Sequence, residues 1–128
     1  RRGGVDTTSA GAGTGTHHHD DSSASYGDSS RIRLAGCKAF LDGSLGAGTA
    51  LMHEAYADDP HNTGIAVSNL TEFKQRVVAA DGAGLQVAVH AIGDRAVDVA
   101  IEAAEAAAQA NGARDRRFRI EHVQHLVA

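Results

Sequence analysis

Three residues could do chemistry together: Lys38, His90 and His122. His90 closes the apolar run LQVAVH, and His122 falls at a similar place in FRIEHV. Neutral imidazole is a common ligand of zinc. Two imidazoles at the ends of near-neighbour strands can face one ion. A single histidine in such a place is more often a hydrogen-bonded structural residue, so it is the pair that points to a site. Lys38 lies inside LAGCKAFL, whose apolar character predicts a buried strand. An unpaired buried ammonium is costly. The sequence therefore predicts that Lys38 either pairs with an acid such as Asp42 or is converted chemically into a ligand.

Other features carry weaker signals. His17, His18 and His19, followed by Asp20 and Asp21, sit in a polar tract. Adjacent histidines on such a tract bind divalent metals weakly and without selectivity. The GAGTGT stretch is no phosphate loop, because no Gly-Lys-Ser/Thr follows it. Cys37 is the one cysteine, which excludes an internal disulfide framework and fits a reducing, cytoplasmic setting.

The elements that must position these residues follow from the pattern. Residues 1–30 are rich in Gly, Ser, Thr and Asp and lack apolar periodicity; they predict a loop-rich lead-in. Order is expected over 31–128. A strand over 34–41 ends at Asp42-Gly43-Ser44, and a long loop runs to about Ser68. A loop of this length is usually functional or disordered. Within it His53, Glu54 and Tyr56 are candidates to touch a substrate. Asn69, with Glu72 three residues on, predicts a capped helix over 70–81 that buries Phe73, Val77 and Leu70. A strand over 85–90 leads through Ile92-Gly93-Asp94 into a second helix over 95–110, which Asp94 can cap. Its predicted apolar face is Val97, Ala100, Ile101, Ala104 and Ala108. A third strand covers 118–123. Alternation of this kind implies parallel strands with right-handed crossovers. A doubly wound sheet and a (β/α) barrel both satisfy it. Either fold gathers functional groups at the carboxyl ends of its strands.

Composition narrows the partners. The formal net charge is −4, which leaves no basic footprint for nucleic acid. No apolar run approaches membrane-spanning length, and no signal peptide is visible. Tryptophan is absent and alanine abundant. Small residues suit close helix-on-sheet packing but bury little area each, so an isolated domain of this composition is expected to be marginal.

The stretches CKAFLDGSLGAGTAL, EAYADDPHNTG, AGLQVAVHAIGDRAVDVAIEAAE and FRIEHVQ resemble amidohydrolase family 3, the group of YtcJ-like hydrolases and N-substituted formamide deformylases. The resemblance covers about residues 31–128. It implies three βα units, strands 4 to 6, of a (β/α)8 TIM barrel with a metal centre at its carboxyl-end face. By this resemblance Lys38 matches a lysine carboxylated by CO2 that bridges metal ions, and His90 and His122 match histidine ligands. Asp94 matches the acid of the HAIGD block and is assigned the helix cap and support of the site, a role shared with Asp42. The implied cofactor is divalent metal, zinc in one or two ions, with a CO2-derived carbamate on Lys38. The implied reaction is hydrolysis of an amide-like, non-peptide C–N bond in a small molecule. Gly48 and Ala55 depart from the family, which often has a basic residue and a proline there. The family's first-strand His-x-His is expected upstream of this chain, and its proton-shuttling aspartate downstream. An internal piece of this kind cannot close a barrel and is expected to be inactive and to associate through its sheet edges. Two rivals are an inactive truncated product and a simple metal-binding module using His17 to His19.

Overall fold

A computed structural model describes residues 32–126. The lead-in and its histidine tract lie outside the described residues. The elements run β1 (Gly36–Phe40), α1 (Leu70–Gly82), β2 (Gln86–Ala91), α2 (Asp94–Asn111) and β3 (Arg119–His122). The three strands form one parallel sheet in the order β1-β2-β3, with Phe40 level with His90 and His90 level with Glu121. The predicted alternation is therefore present. Among the described residues no helix is long and apolar enough to cross a membrane.

Both helices cover the same face of the sheet. Val87, Val89 and Ala91 alternate along β2 and are buried against Phe73 and Val77 of α1 and against α2. Cys37 and Ala39 of β1 and Ile120 of β3 join the same core. The opposite face carries no helix among the described residues. Lys38 and Phe40 are exposed there, so β1 is not the fully buried strand that its composition predicts. Leu34 also lies outside the strand and is exposed. An apolar run cannot reveal that only one of its two faces is covered.

The helix ends follow local chemistry. Asn69 is the N-cap of α1, and its Oδ1 accepts from the N–H groups of Thr71 and Glu72. The reciprocal half of the capping box is missing, because Glu72 pairs instead with Arg76 one turn on. The buried face of α2 is Ala96, Val97, Val99, Ala100, Ala103 and Ala107. The predicted face is thus wrong by about one position. Ile101 is exposed, and Ala104 and Ala108 are only half-buried. Alanines at Ala96, Ala100, Ala103 and Ala107 let the helix sit close to the sheet and to α1, where the larger Ile101 would hold it away.

Asp81, buried at the end of α1, pins the amino-terminal side of the sheet. Its carboxylate meets Arg114 at 2.8 Å and Arg116 at 3.1 Å, and Asn111 Nδ2 donates to it at 2.9 Å. Burial by itself would push this carboxyl up. The hydrogen bonds from Asn111 and Arg116 and the charges of Arg114 and Arg116 outweigh burial and hold it below its ordinary value. A depressed carboxyl stabilises the fold above its unfolded-state value, and that contribution is lost as pH falls through the folded value. Asp81→Asn is expected to lower stability by about 2 kcal/mol at neutral pH and to flatten the acid limb of the stability curve. Urea melts between neutral pH and pH below the ordinary carboxylate range check this; an unchanged acid limb contradicts it.

Candidate metal centre

The carboxyl ends of the three strands converge on a knot around Asp42. This residue follows β1, and its side chain is fully buried. Oδ2 accepts from the Leu51 N–H at 3.0 Å and from the Gly93 N–H at 2.8 Å. The Ile92 N–H reaches both oxygens, at 3.0 and 3.2 Å. Among the described residues no lysine or arginine pairs with this carboxylate. It lies instead against the amino end of the 18-residue helix α2, where peptide dipoles favour an anion. Gly93 is required at this place: a Cβ there would come within 2.0 Å of the Leu51 carbonyl oxygen.

His90 hangs from the same knot. Its Nε2 lies 2.7 Å from the Gly43 carbonyl oxygen and 3.4 Å from Asp42 Oδ1. A carbonyl can only accept, so Nε2 donates here, and in the neutral ring Nδ1 keeps the lone pair. The His122 ring meets the His90 ring edge to face, with centroids 4.6 Å apart. Phe40 lies on the other side of His90, at 5.2 Å, and the Lys38 Nζ lies 5.4 Å from the centre of the Phe40 ring. Lys38, His90 and His122 are thus linked through ring contacts around His90. The expectation of a buried Lys38 paired with Asp42 does not hold: the ammonium is exposed over an aromatic ring, and Asp42 is taken up by backbone N–H groups. Among the described residues no three His, Cys, Asp or Glu side chains gather closely enough to hold a metal ion.

His122 reaches His90 through unusual backbone. It has φ +79° and Val123 has φ +49°, a left-handed conformation that side-chain-bearing residues seldom adopt. In register His122 sits beside Ala91, whose side chain is buried under the helices. Regular strand geometry would therefore turn His122 toward the helices and away from His90.

Asp94 is the first residue of α2, and Gly93 takes the N-cap position without a side-chain cap. The predicted cap is therefore shifted by one residue, because Gly93 lies pressed against Leu51. The Asp94 Oδ1 still accepts from a first-turn amide, that of Arg95 at 2.7 Å, and also from the His53 N–H at 2.9 Å. It ties the long loop to the helix.

That loop is ordered by its own turns. Met52 N–H bonds to Thr63 O, Tyr56 N–H to Asn62 O and Val67 N–H to Leu41 O. His53, Glu54 and Tyr56 line a hollow of about 820 Å³ with Asp94, Asp98 and His125. Lys38, His90 and His122 do not line it. The structure therefore gathers the predicted residues into two places. His53 Nε2 lies 2.8 Å from Asp98 Oδ2. The Tyr56 hydroxyl donates to the Ala50 carbonyl at 2.9 Å. Burial pushes that phenol up against the opposing effect of this hydrogen bond, with Asp42 and Asp58 adding to the rise. Sequence reasoning missed Asp98 and His125; the spacing of Asp94 and Asp98, one helical turn apart, was the available signal.

Comparisons with known proteins bear on this arrangement. Residues 8–127 match the amidohydrolase family, so the match begins well before the expected residue 31 and takes in most of the polar lead-in. The chain is 54% identical over 95 residues to Protein LONG AFTER FAR-RED 3 of Arabidopsis thaliana. It is 39% identical over 85 residues to YtcJ of Bacillus subtilis, described as an amidohydrolase. These alignments cover 74% and 66% of the chain but only 16% of each relative, so the chain spans about a sixth of their length. Among solved structures, an uncharacterized metal-dependent hydrolase from Pyrococcus furiosus superposes with a TM-score of 0.58 at 48% identity, over 70% of this chain and 18% of that one. A metal-dependent hydrolase from Pyrococcus horikoshii gives 0.53 at 49%, over 56% and 15%.

The backbone at His122 makes a direct prediction. His122→Gly is expected to be more stable than His122→Ala by about 1 kcal/mol, because only glycine adopts this φ freely. Paired urea denaturation of the two variants checks it, and the reverse order would contradict the left-handed geometry.

Proposed function

The chain belongs to the amidohydrolase family, and on that premise we propose that it supplies part of the metal centre of a longer hydrolase that cleaves amide-like, non-peptide C–N bonds. The observation that carries this reading is the placement of His90. Its Nε2 lies 2.7 Å from the Gly43 carbonyl, which in the neutral ring leaves Nδ1 for a ligand, and a second imidazole stands beside it. Metal-binding histidines commonly hold the other ring N–H in this way. The Bacillus relative, described as an amidohydrolase, and the Pyrococcus hydrolases, described as metal-dependent, add to the support.

The fold supports it as well. Strands in sequential order with both crossovers on one face suit a closed (β/α)8 barrel, whereas a doubly wound sheet reverses its order and takes helices on both faces. In a closed barrel the helix-free face, with Lys38, Phe40 and His90, becomes the interior. The exposed Lys38 is then the residue that would react with CO2: the neutral amine adds to carbon, releases one proton and becomes a carbamate with oxygen donors. His90, His122 and carbamylated Lys38 would hold the ion, zinc being the metal we favour. When bound, such an ion supplies Lewis-acid polarisation of a carbonyl and acidification of water. Asp42 and Asp94 hold the surrounding turns. His53, Glu54 and Tyr56 would contact substrate only where it extends beyond the metal-bearing face. The remaining ligands and the proton shuttle come from the rest of the longer polypeptide, so this chain by itself is expected to be inactive.

In the full-length polypeptide, His90→Ala and His122→Ala are each expected to lower bound metal and amide hydrolysis together, by at least about tenfold. Metal analysis beside turnover of a simple N-substituted amide tests this. Full activity in the double variant would overturn the reading.

A further inference from the structure

We propose that Asp42 is a positioning residue for His90: its buried carboxylate clamps the turn that carries the imidazole and fixes which ring nitrogen bears the proton. This inference rests on the metal-centre reading above.

The clamp joins three segments far apart in sequence. Asp42 ends the first strand segment, Leu51 lies in the long loop, and Ile92 and Gly93 form the turn after His90. Each of the three backbone N–H groups would be buried without a partner if the carboxylate were absent, and unpaired buried donors are costly. An asparagine cannot replace it. Its amide offers one acceptor oxygen where the three donors use both carboxylate oxygens, and its NH2 would confront an N–H group.

The clamp acts on His90 along two routes. Directly, Asp42 Oδ1 stands 3.4 Å from Nε2 and favours a proton there. Indirectly, Gly43 follows Asp42 in the chain, so the clamp orients the carbonyl that accepts from Nε2 at 2.7 Å. The N–H of the same peptide, that of Ser44, donates to Thr49 Oγ1 at 3.0 Å, which holds that peptide from the other side. The His90 side chain is only 13% exposed, so solvent does little to reorient it. The loop, the turn and the imidazole therefore move as one unit, and a disturbance at Leu51 is felt at His90.

The test is NMR of the histidine side chains in the full-length polypeptide without metal, followed by titration with Zn²⁺. In the wild type the His90 Nε2–H is expected as a slowly exchanging signal with an unprotonated Nδ1. In Asp42→Asn that signal is lost and Zn²⁺ affinity falls about 10–100-fold. Asp81→Asn serves as control: it removes an equally buried carboxylate from the other end of the sheet and should leave both readouts unchanged. A wild-type His90 protonated on Nδ1, or a signal that survives in Asp42→Asn, overturns the inference. Should Asp42→Asn not fold, the wild type decides alone. Couplings across the hydrogen bonds from Leu51, Ile92 and Gly93 to the Asp42 carboxylate, and from His90 Nε2 to Gly43, support the inference; their absence overturns it. A full-length wild type that shows the proton signal but binds no Zn²⁺ counts against the metal reading and leaves the role of Asp42 standing.

Discussion

Among the described residues Asp42 is buried with no lysine or arginine beside it, and the carboxyl edge of the sheet is arranged around that fact. A lone carboxylate in the interior is tolerable only if donors surround it. Here the donors are the N–H groups of Leu51, Ile92 and Gly93, backed by the amino end of α2. Meeting that need brings the long loop down onto the β2–α2 turn so closely that position 93 must be glycine. His90, two residues before Ile92, takes its orientation from the same contacts. The demand of one buried charge thus becomes the geometry of a candidate ligand.

The opposite edge solves a similar problem by other means. Asp81 is also buried, and two arginines and an asparagine surround it. Between these two anchors the core is built mostly from small side chains: an alanine face on α2 and valines on β2, with Phe73 buried among them and Phe118 packed at the margin. Close approach replaces bulk, which explains how a chain without tryptophan assembles a continuous core under two helices. The sheet's other face is left to Lys38, Phe40 and His90, and a face of this kind suits a larger barrel interior.

The order of elements was legible in the sequence because hydrophobic period and caps act locally. Asn69 and Gly112 stand at the ends of helices as read, and the three strands lie within two residues of expectation at each end. The positions of His90 and His122 at strand ends were legible for the same reason. Three features were not, or not fully. The exposure of Lys38 depends on which face the helices cover, and an apolar run does not encode that. The face of α2 was legible only in part: Val97 and Ala100 are buried as read, but Ala103 and Ala107 are buried in place of Ala104 and Ala108, and Ile101 stays outside. The contact between His122 and His90 depends on left-handed backbone at a non-glycine residue, which no local propensity suggests. Asp42 was read as a support of the site, but its backbone partners were not legible, nor was Asp81 at all, since those partners lie as far as 51 residues away for Asp42 and 35 for Asp81.

Amide hydrogen exchange in this chain tests the central claim most directly. Leu51, Ile92 and Gly93 all lie outside the helices and strands, so their amides would ordinarily exchange as loop amides do. If the Asp42 carboxylate holds them, they exchange as slowly as those of Val87 and Val89 inside β2. If they exchange as fast as the exposed loop residues Asp58 and His61, the buried clamp does not exist and the account of His90 fails with it.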